Sequence, residues 1–139
     1  MTAARYAGID LYMLEDSHRI IRNYTGPGKV FRRQIDGWWL GLCIGVRKGE
    51  RLPFPSDAQR VKFMDGTIFN SDPWRVTHLE LLALSKQGDH VLAEPRRIVG
   101  IAMEYANFGL EWLSNECLMT TEPTLTVLNR LDLSMFTAD

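Results

Sequence analysis

Apolar and polar positions divide the chain into short runs with two different periods. Ile9, Leu11 and Met13 alternate with Asp10 and Tyr12, the period-two pattern of a half-buried strand. Residues 18–23 then read as a short helix for which Ser17 is the expected cap. Thr25-Gly26-Pro27-Gly28 ends it, because these residues favour turns and Pro27 lacks an amide donor. Over residues 29–48, Phe31, Ile35, Trp38, Leu42 and Val46 recur at steps of three or four and predict a central helix. Residues 51–60, with Pro53 and Pro55, read as a loop. Residues 61–63 and 67–69 flank Met64-Asp65-Gly66, and Asp-Gly between apolar runs signals a small hairpin. Asp72 is placed to cap the next helix, with Pro73 at its first position, an apolar stripe of Val76, Leu79, Leu82 and Ala83, and Gly88 as its stop. A last long helix starts near Pro95 and carries Ile98, Ile101, Ala102, Tyr105, Gly109, Trp112 and Leu113 until the pattern fades near Cys117. In the tail, Leu125, Leu128 and Leu131 fit either a short amphipathic helix or a docking strand. These elements predict a mainly α fold class: a compact helical domain over residues 1–139 with a short N-terminal strand and room for one small hairpin.

The central helix also carries Gly37, Gly41 and Gly45 at steps of four. Each glycine costs a helix interior about 1 kcal/mol relative to alanine, so a compensating contact is expected. A smooth glycine face lets another backbone approach closely, within the subunit or across an oligomer interface; the plainer alternative is local bending with no special partner. Gly37, Gly41, Gly45 and Trp38 are therefore the candidate oligomer-interface residues.

Composition narrows the class. The chain has 139 residues, 45% apolar and 24% charged, which is ordinary for a globular domain and long enough to bury a core. Its longest apolar stretch, residues 35–46, is interrupted by Asp36 and falls short of the roughly 20 residues needed to span a bilayer. No secretory leader pattern opens the sequence, and Cys43 and Cys117 form no close-spaced motif, so a cytoplasmic protein with two small buried cysteines is expected.

The net charge of −1 hides an uneven distribution. Residues 19–62 hold ten Lys and Arg against three acids, whereas residues 63–139 hold five against eleven. Such asymmetry calls for an anionic partner, or for a match between the two segments within or between subunits. Arg19 and Arg22 lie three apart on one expected helix, and Lys29, Arg32 and Arg33 share the first turns of the next. Arg47, Lys48 and Arg51 form a secondary group at its far end. Guanidinium groups hold phosphate oxygens through forked hydrogen bonds, so these eight residues are the candidate DNA-binding set.

Other chemistries find little footing. Gly26-Pro27-Gly28-Lys29 can offer amides and a lysine to a phosphate, but lacks P-loop spacing. His18, His78 and His90 are scattered, and no metal motif or nuclease-type carboxylate set emerges. No catalytic residue, metal or cofactor is assigned, and the pattern favours a non-enzymatic role. Trp38, Trp39, Trp74 and Trp112 could stack bases, though core or interface roles suit their helical spacing better. Glu104 and Glu111 share a helix face and could receive Arg from a neighbouring subunit, although a solvated face is the simpler account.

In this order, residues 9–13, Tyr24-Thr25-Gly26, residues 31–48 followed by Gly49-Glu50-Arg51-Leu52-Pro53, and the closing Glu104-Tyr105-Ala106-Asn107-Phe108-Gly109-Leu110-Glu111-Trp112-Leu113 resemble the DndE family of DNA sulfur-modification (phosphorothioation) proteins. The resemblance covers residues 8–115 as a helical core and leaves residues 117–139 as a docking tail. It implies a small bacterial-defence accessory protein that forms a homo-oligomer, a tetramer in that family. Such a protein binds double-stranded DNA, including nicked DNA, beside other proteins of the modification system. The family uses lysine-rich surfaces and this chain an arginine-rich one, so only the basic character carries over. Two alternatives stand beside it: a non-catalytic structural adaptor, and a ribbon-helix-helix repressor that would read DNA with its strand. Asp10 and Tyr12 on that strand disfavour the repressor.

Overall fold

The computed structural model describes residues 3–130. Leu131, which completes the apolar spacing of the tail, lies outside them, as do the other residues of 131–139. The described chain is mainly helical, with one two-stranded antiparallel sheet. None of its helices is long and apolar enough to cross a membrane.

The opening strand, β1 (Asp10–Leu14), buries Leu11 and Met13 and turns its alternate residues outward, as the period of two requires. Helix α1 (Glu15–Asn23) starts two residues before the expected Ser17 cap. Leu14, still extended, is the residue before the helix, and Glu15 and Asp16 occupy its first turn, where negative charge suits the positive end of the helix dipole. Ser17 is buried inside the helix instead of capping it.

Helix α2 (Gln34–Lys48) begins five residues later than the apolar spacing suggested. Residues 24–31 are already committed to a closed turn. Phe31 N–H donates to the Tyr24 carbonyl at 3.0 Å, and Gly26 N–H donates to the Phe31 carbonyl at 2.8 Å. Gly26 and Gly28 have φ of 136° and 73°, which side-chain-bearing residues rarely adopt, so the turn needs glycine at both positions. Phe31 belongs to the turn and pins it to the core. Lys29, Arg32 and Arg33 therefore lead into α2 rather than lying on its first turns. The helix starts where the Asp36 carboxylate accepts the Arg33 backbone N–H at 3.1 Å, and it ends at Gly49 in the left-handed region.

Strand β2 (Arg60–Asp65) supplies the other half of the sheet. It pairs with β1, Leu11 opposite Met64 and Tyr12 opposite Lys62, with an irregularity between Leu11 and Tyr12. The small antiparallel pair is thus present, but its second arm is β1, not residues 67–69. After Asp65, Gly66–Asn70 coils into a 3-10 helix whose Thr67 N–H is accepted by the Asp65 carboxylate at 3.0 Å. Gly66 there is pressed against the backbone of Tyr6, where a Cβ would collide with the Tyr6 carbonyl oxygen.

Helices α3 (Pro73–Gln87) and α4 (Pro95–Leu113) match their expected starts, and α3 stops before Gly88 as read. A π-helical turn, Ser114–Leu118, continues α4, and Thr120 leads to α5 (Pro123–Arg130). The tail is therefore a helix as far as Arg130, with Leu125 and Leu128 exposed.

The core centres on α2 packed antiparallel against α4. Gly41 faces Gly109 and Leu110, and Gly45 faces the backbone of Tyr105. A Cβ on Gly45 would collide with the Tyr105 carbonyl oxygen, and one on Gly109 with that of Gly41. The glycine face thus serves close approach within the chain. Gly37 is closed off by Ile21 and Phe31, and Trp38 is fully buried. These four residues offer no outer surface, which corrects their assignment to an oligomer interface. Past the seam, Leu52 N–H donates to the Glu104 carbonyl at 3.0 Å, and buried Asn107 donates its amide to the Leu52 carbonyl at 2.8 Å.

Candidate nucleic-acid interface

The ten cations of the basic segment fall into two groups once the chain folds. Several are matched internally. Arg19 pairs with Asp16 at 3.0 Å, Arg51 with Glu104 at 2.8 Å and Lys62 with Asp10 at 3.1 Å. Glu104 thus receives an Arg from its own chain. Lys48 sits over the Trp112 ring at 4.9 Å and Arg60 over Phe54 at 4.9 Å. Of these contacts, Arg51–Glu104 is an ion pair between the basic and acidic segments, and Lys48 also reaches the acidic segment at Trp112, so a small part of the charge asymmetry is an internal match.

Arg22, Lys29, Arg32 and Arg33 gather at the turn between α1 and α2. An open concavity of about 780 Å³ is lined by residues 26–29 together with Arg32, Arg33 and Asp36. Arg22 stands exposed in the last turn of α1, just before it. The side chains of Arg22, Lys29 and Arg32 are exposed and make no ion pair or hydrogen bond with any described residue. The concavity adjoins the N-terminal end of α2, a 15-residue helix whose dipole adds positive potential there.

Arg33 is different. It reaches Asp36 at 3.4 Å and Asp72 at 3.3 Å. Both carboxylates are shared with Arg75, at 3.3 Å and 3.2 Å. Arg75 is only 4% exposed and lies over the rings of Trp39 at 4.8 Å and Trp74 at 4.4 Å. Its Nη1 is buried with no hydrogen-bond partner among the described residues, so the indoles are its main surroundings on that side. Two arginines and two aspartates thus form a neutral lattice tying the start of α2 to the start of α3. Burial alone would raise the Asp72 carboxyl, but the Arg75 hydrogen bond and charge, followed by those of Arg33, hold it below the usual carboxylate range.

Of the eight candidate DNA-binding residues, the fold brings Lys29, Arg32 and Arg33 to one concavity with Arg22 beside it. It places Arg19 elsewhere: one turn back on α1, Arg19 lines a separate polar cleft with Glu15, Asp16 and Glu111. Arg47, Lys48 and Arg51 sit at the opposite end of α2, about 20 Å away at 1.5 Å per residue. Arg47 borders an apolar groove of about 360 Å³ between α2 and α3, which also holds Trp39, Cys43 and His78. Burial pushes the Cys43 thiol upward in pKa, against the opposing charge of Arg75, so it stays protonated at neutral pH.

Sequence reading missed Arg75, and it gave Asp72 a capping role that its side chain does not play: the residue stands before α3 without a side-chain cap hydrogen bond, and its carboxylate accepts from Arg75 and Arg33 instead. The available signal was the Asp72–Arg75 spacing of three at a helix start, which places both side chains on one face. Among the described residues no three His, Cys, Asp or Glu side chains converge as metal ligands. Comparison with family models, curated proteins and solved structures finds no match to this chain.

Proposed function

We propose that this chain is a non-enzymatic DNA-binding protein that grips the phosphate backbone at the turn between α1 and α2. The observation that carries the reading is the set of exposed cations Arg22, Lys29 and Arg32, which pair with no described residue, around a glycine turn at a helix N-terminus, in a fold that pairs many of its other basic groups. Unpaired cations at close range repel one another and give nothing to the isolated fold, whereas several phosphates of a strand would satisfy them together. Arg33 belongs to this surface only in part, because Asp36 and Asp72 already hold it. Arg19, Arg47, Lys48 and Arg51 drop to peripheral roles.

The resemblance to DndE proteins supplies the biological setting of this proposal. The chain would be an accessory component of a DNA sulfur-modification or related bacterial defence system. It would act in the cytoplasm as a homo-oligomer on intact or nicked duplex, alongside other proteins of the system. The strand-reading repressor is disfavoured by the sheet: β1 already pairs with β2, and Leu11 and Met13 point into the core.

The test is binding of the full chain to intact, nicked and single-stranded DNA across a salt series, compared with a variant carrying Arg22→Ala, Lys29→Ala and Arg32→Ala. Affinity for duplex is expected to drop by about 10- to 100-fold in the variant, and the slope of log K against log salt to shrink by about 2–3. A natural chain that binds none of these DNAs at low salt would defeat the proposal. The adaptor reading would then take its place, favoured by the exposed Leu125 and Leu128 of α5 and the apolar groove beside Val46.

A further inference from the structure

We infer that Trp74 is a stacking platform for an unpaired base, which extends the phosphate-binding turn into a site for single-stranded or locally opened DNA. This rests on the DNA-binding reading above and adds the kind of strand that the site prefers.

The four tryptophans are not equivalent in the fold. Trp38 is fully buried, and Trp39 and Trp112 are partly covered, but Trp74 is 48% exposed. An indole left that open forgoes much of the burial that normally keeps tryptophan inside. It is nevertheless held firmly. The Arg75 guanidinium lies 4.4 Å from its ring centre, and Trp39 and His78 meet it edge-to-face at 5.4 Å and 5.7 Å. The ring is therefore ordered before any ligand arrives, which lowers the entropic cost of stacking on it.

Its position links it to the cationic turn. Asp72, two residues before Trp74, bonds Arg33 at 3.3 Å, and Arg33 lines the turn's concavity. A strand whose phosphates sit at Lys29 and Arg32 can pass the Arg33–Asp72 contact and bring a base to the indole. Asp36 and Asp72 would repel that strand if bare, but Arg33 and Arg75 neutralise both. The two parts then divide the work. Cations hold any phosphate backbone and weaken with salt, whereas an aromatic ring accepts the face of any base that is not already stacked in a duplex. Intact duplex offers the first contact only; a single strand or a gap offers both.

The experiment compares the natural full chain with Trp74→Ala, Trp74→Leu and Trp74→Tyr. Each is titrated at fixed low salt with a mixed-sequence single strand, a gapped duplex and an intact duplex, while melting and light scattering follow fold and assembly. Trp74→Ala and Trp74→Leu are expected to weaken single-strand and gapped-duplex binding about tenfold or more, with less than about a twofold change on intact duplex. Trp74→Tyr should recover most of the loss. Trp74→Leu keeps the apolar bulk without the ring, so the inference stays testable if Trp74→Ala unfolds. Single-strand binding unchanged by these substitutions, an equal loss on all three DNAs, or a loss accompanied by a changed assembly state would each overturn the inference while leaving phosphate binding intact. No binding of any DNA by the natural chain would overturn the DNA reading and this inference with it.

Discussion

The seam between α2 and α4 and the turn between α1 and α2 both depend on glycine, for opposite reasons. In the seam, Gly41, Gly45 and Gly109 are ordinary helical residues whose missing side chains let two backbones touch. In the turn, Gly26 and Gly28 have open space or only a single loose neighbour around the missing Cβ, and they are needed because their φ is positive. The charges divide in the same way. Around the far end of the seam, Arg51 and Lys48 are taken up by Glu104 and Trp112. Around the turn, Lys29 and Arg32 make no such contact with a described residue. One region is finished by folding; the other carries the cations that we propose a phosphate backbone meets.

The most disruptive way to probe that contrast is to add one methyl group to the seam. Gly109→Ala drives a Cβ into the Gly41 carbonyl, and neither helix backbone can yield without moving the core. A loss of roughly 3 kcal/mol or more is expected, seen as a fall in melting temperature of about 10 °C. Next in size is Arg75→Ala, which leaves Asp36 and Asp72 facing each other with only Arg33 between them and empties the space beside two indoles. Removing one partner from a buried charge network of this kind should cost about 2–3 kcal/mol in urea unfolding. The triple substitution of Arg22, Lys29 and Arg32 should reverse the pattern, with stability unchanged within about 0.5 kcal/mol while DNA affinity falls. A triple variant that also melts far below the natural chain would mean that the turn, too, is part of the finished fold.

The seam was largely legible in the sequence and the turn's chemistry only partly so. Glycines at steps of four on an apolar helix have few uses, and Gly41 and Gly45 meet the expected close approach. What the spacing could not say is which backbone comes close, because that depends on α4 lying antiparallel across α2 from more than fifty residues away. The start of α2 was misplaced because Phe31 keeps the helical spacing while its backbone is tied to Tyr24. Likewise Asp65-Gly66 looks like a hairpin turn because the sequence cannot show that β1, fifty residues earlier, has taken the pairing edge. Charge was legible as a total and not as a pairing. Arg33 reads like Arg32 in the chain, and its contacts to Asp36 and to Asp72, just before α3, separate their roles.

The smallest expected effect lies in that same Arg33–Asp72 contact, and it sharpens the boundary between the two regions. The Asp72 carboxyl binds its proton less readily in the folded chain than in the unfolded one, because Arg75 and Arg33 favour the charged form. Its contribution is therefore present in full above the ordinary aspartate value of about 4 and is lost as the pH falls through the lowered folded value. Asp72→Asn should remove that contribution at neutral pH, costing about 1 kcal/mol because the amide oxygen can still accept from Arg75, and it should flatten the decline in stability on acidification. The substitution also releases Arg33 from one of its two carboxylates. If Arg33 belongs to the phosphate surface once freed, Asp72→Asn will bind duplex DNA more tightly than the natural chain even as it becomes slightly less stable. Unchanged or weaker binding would place Arg33 wholly with the lattice that joins α2 to α3, leaving Arg22, Lys29 and Arg32 as the proposed phosphate surface.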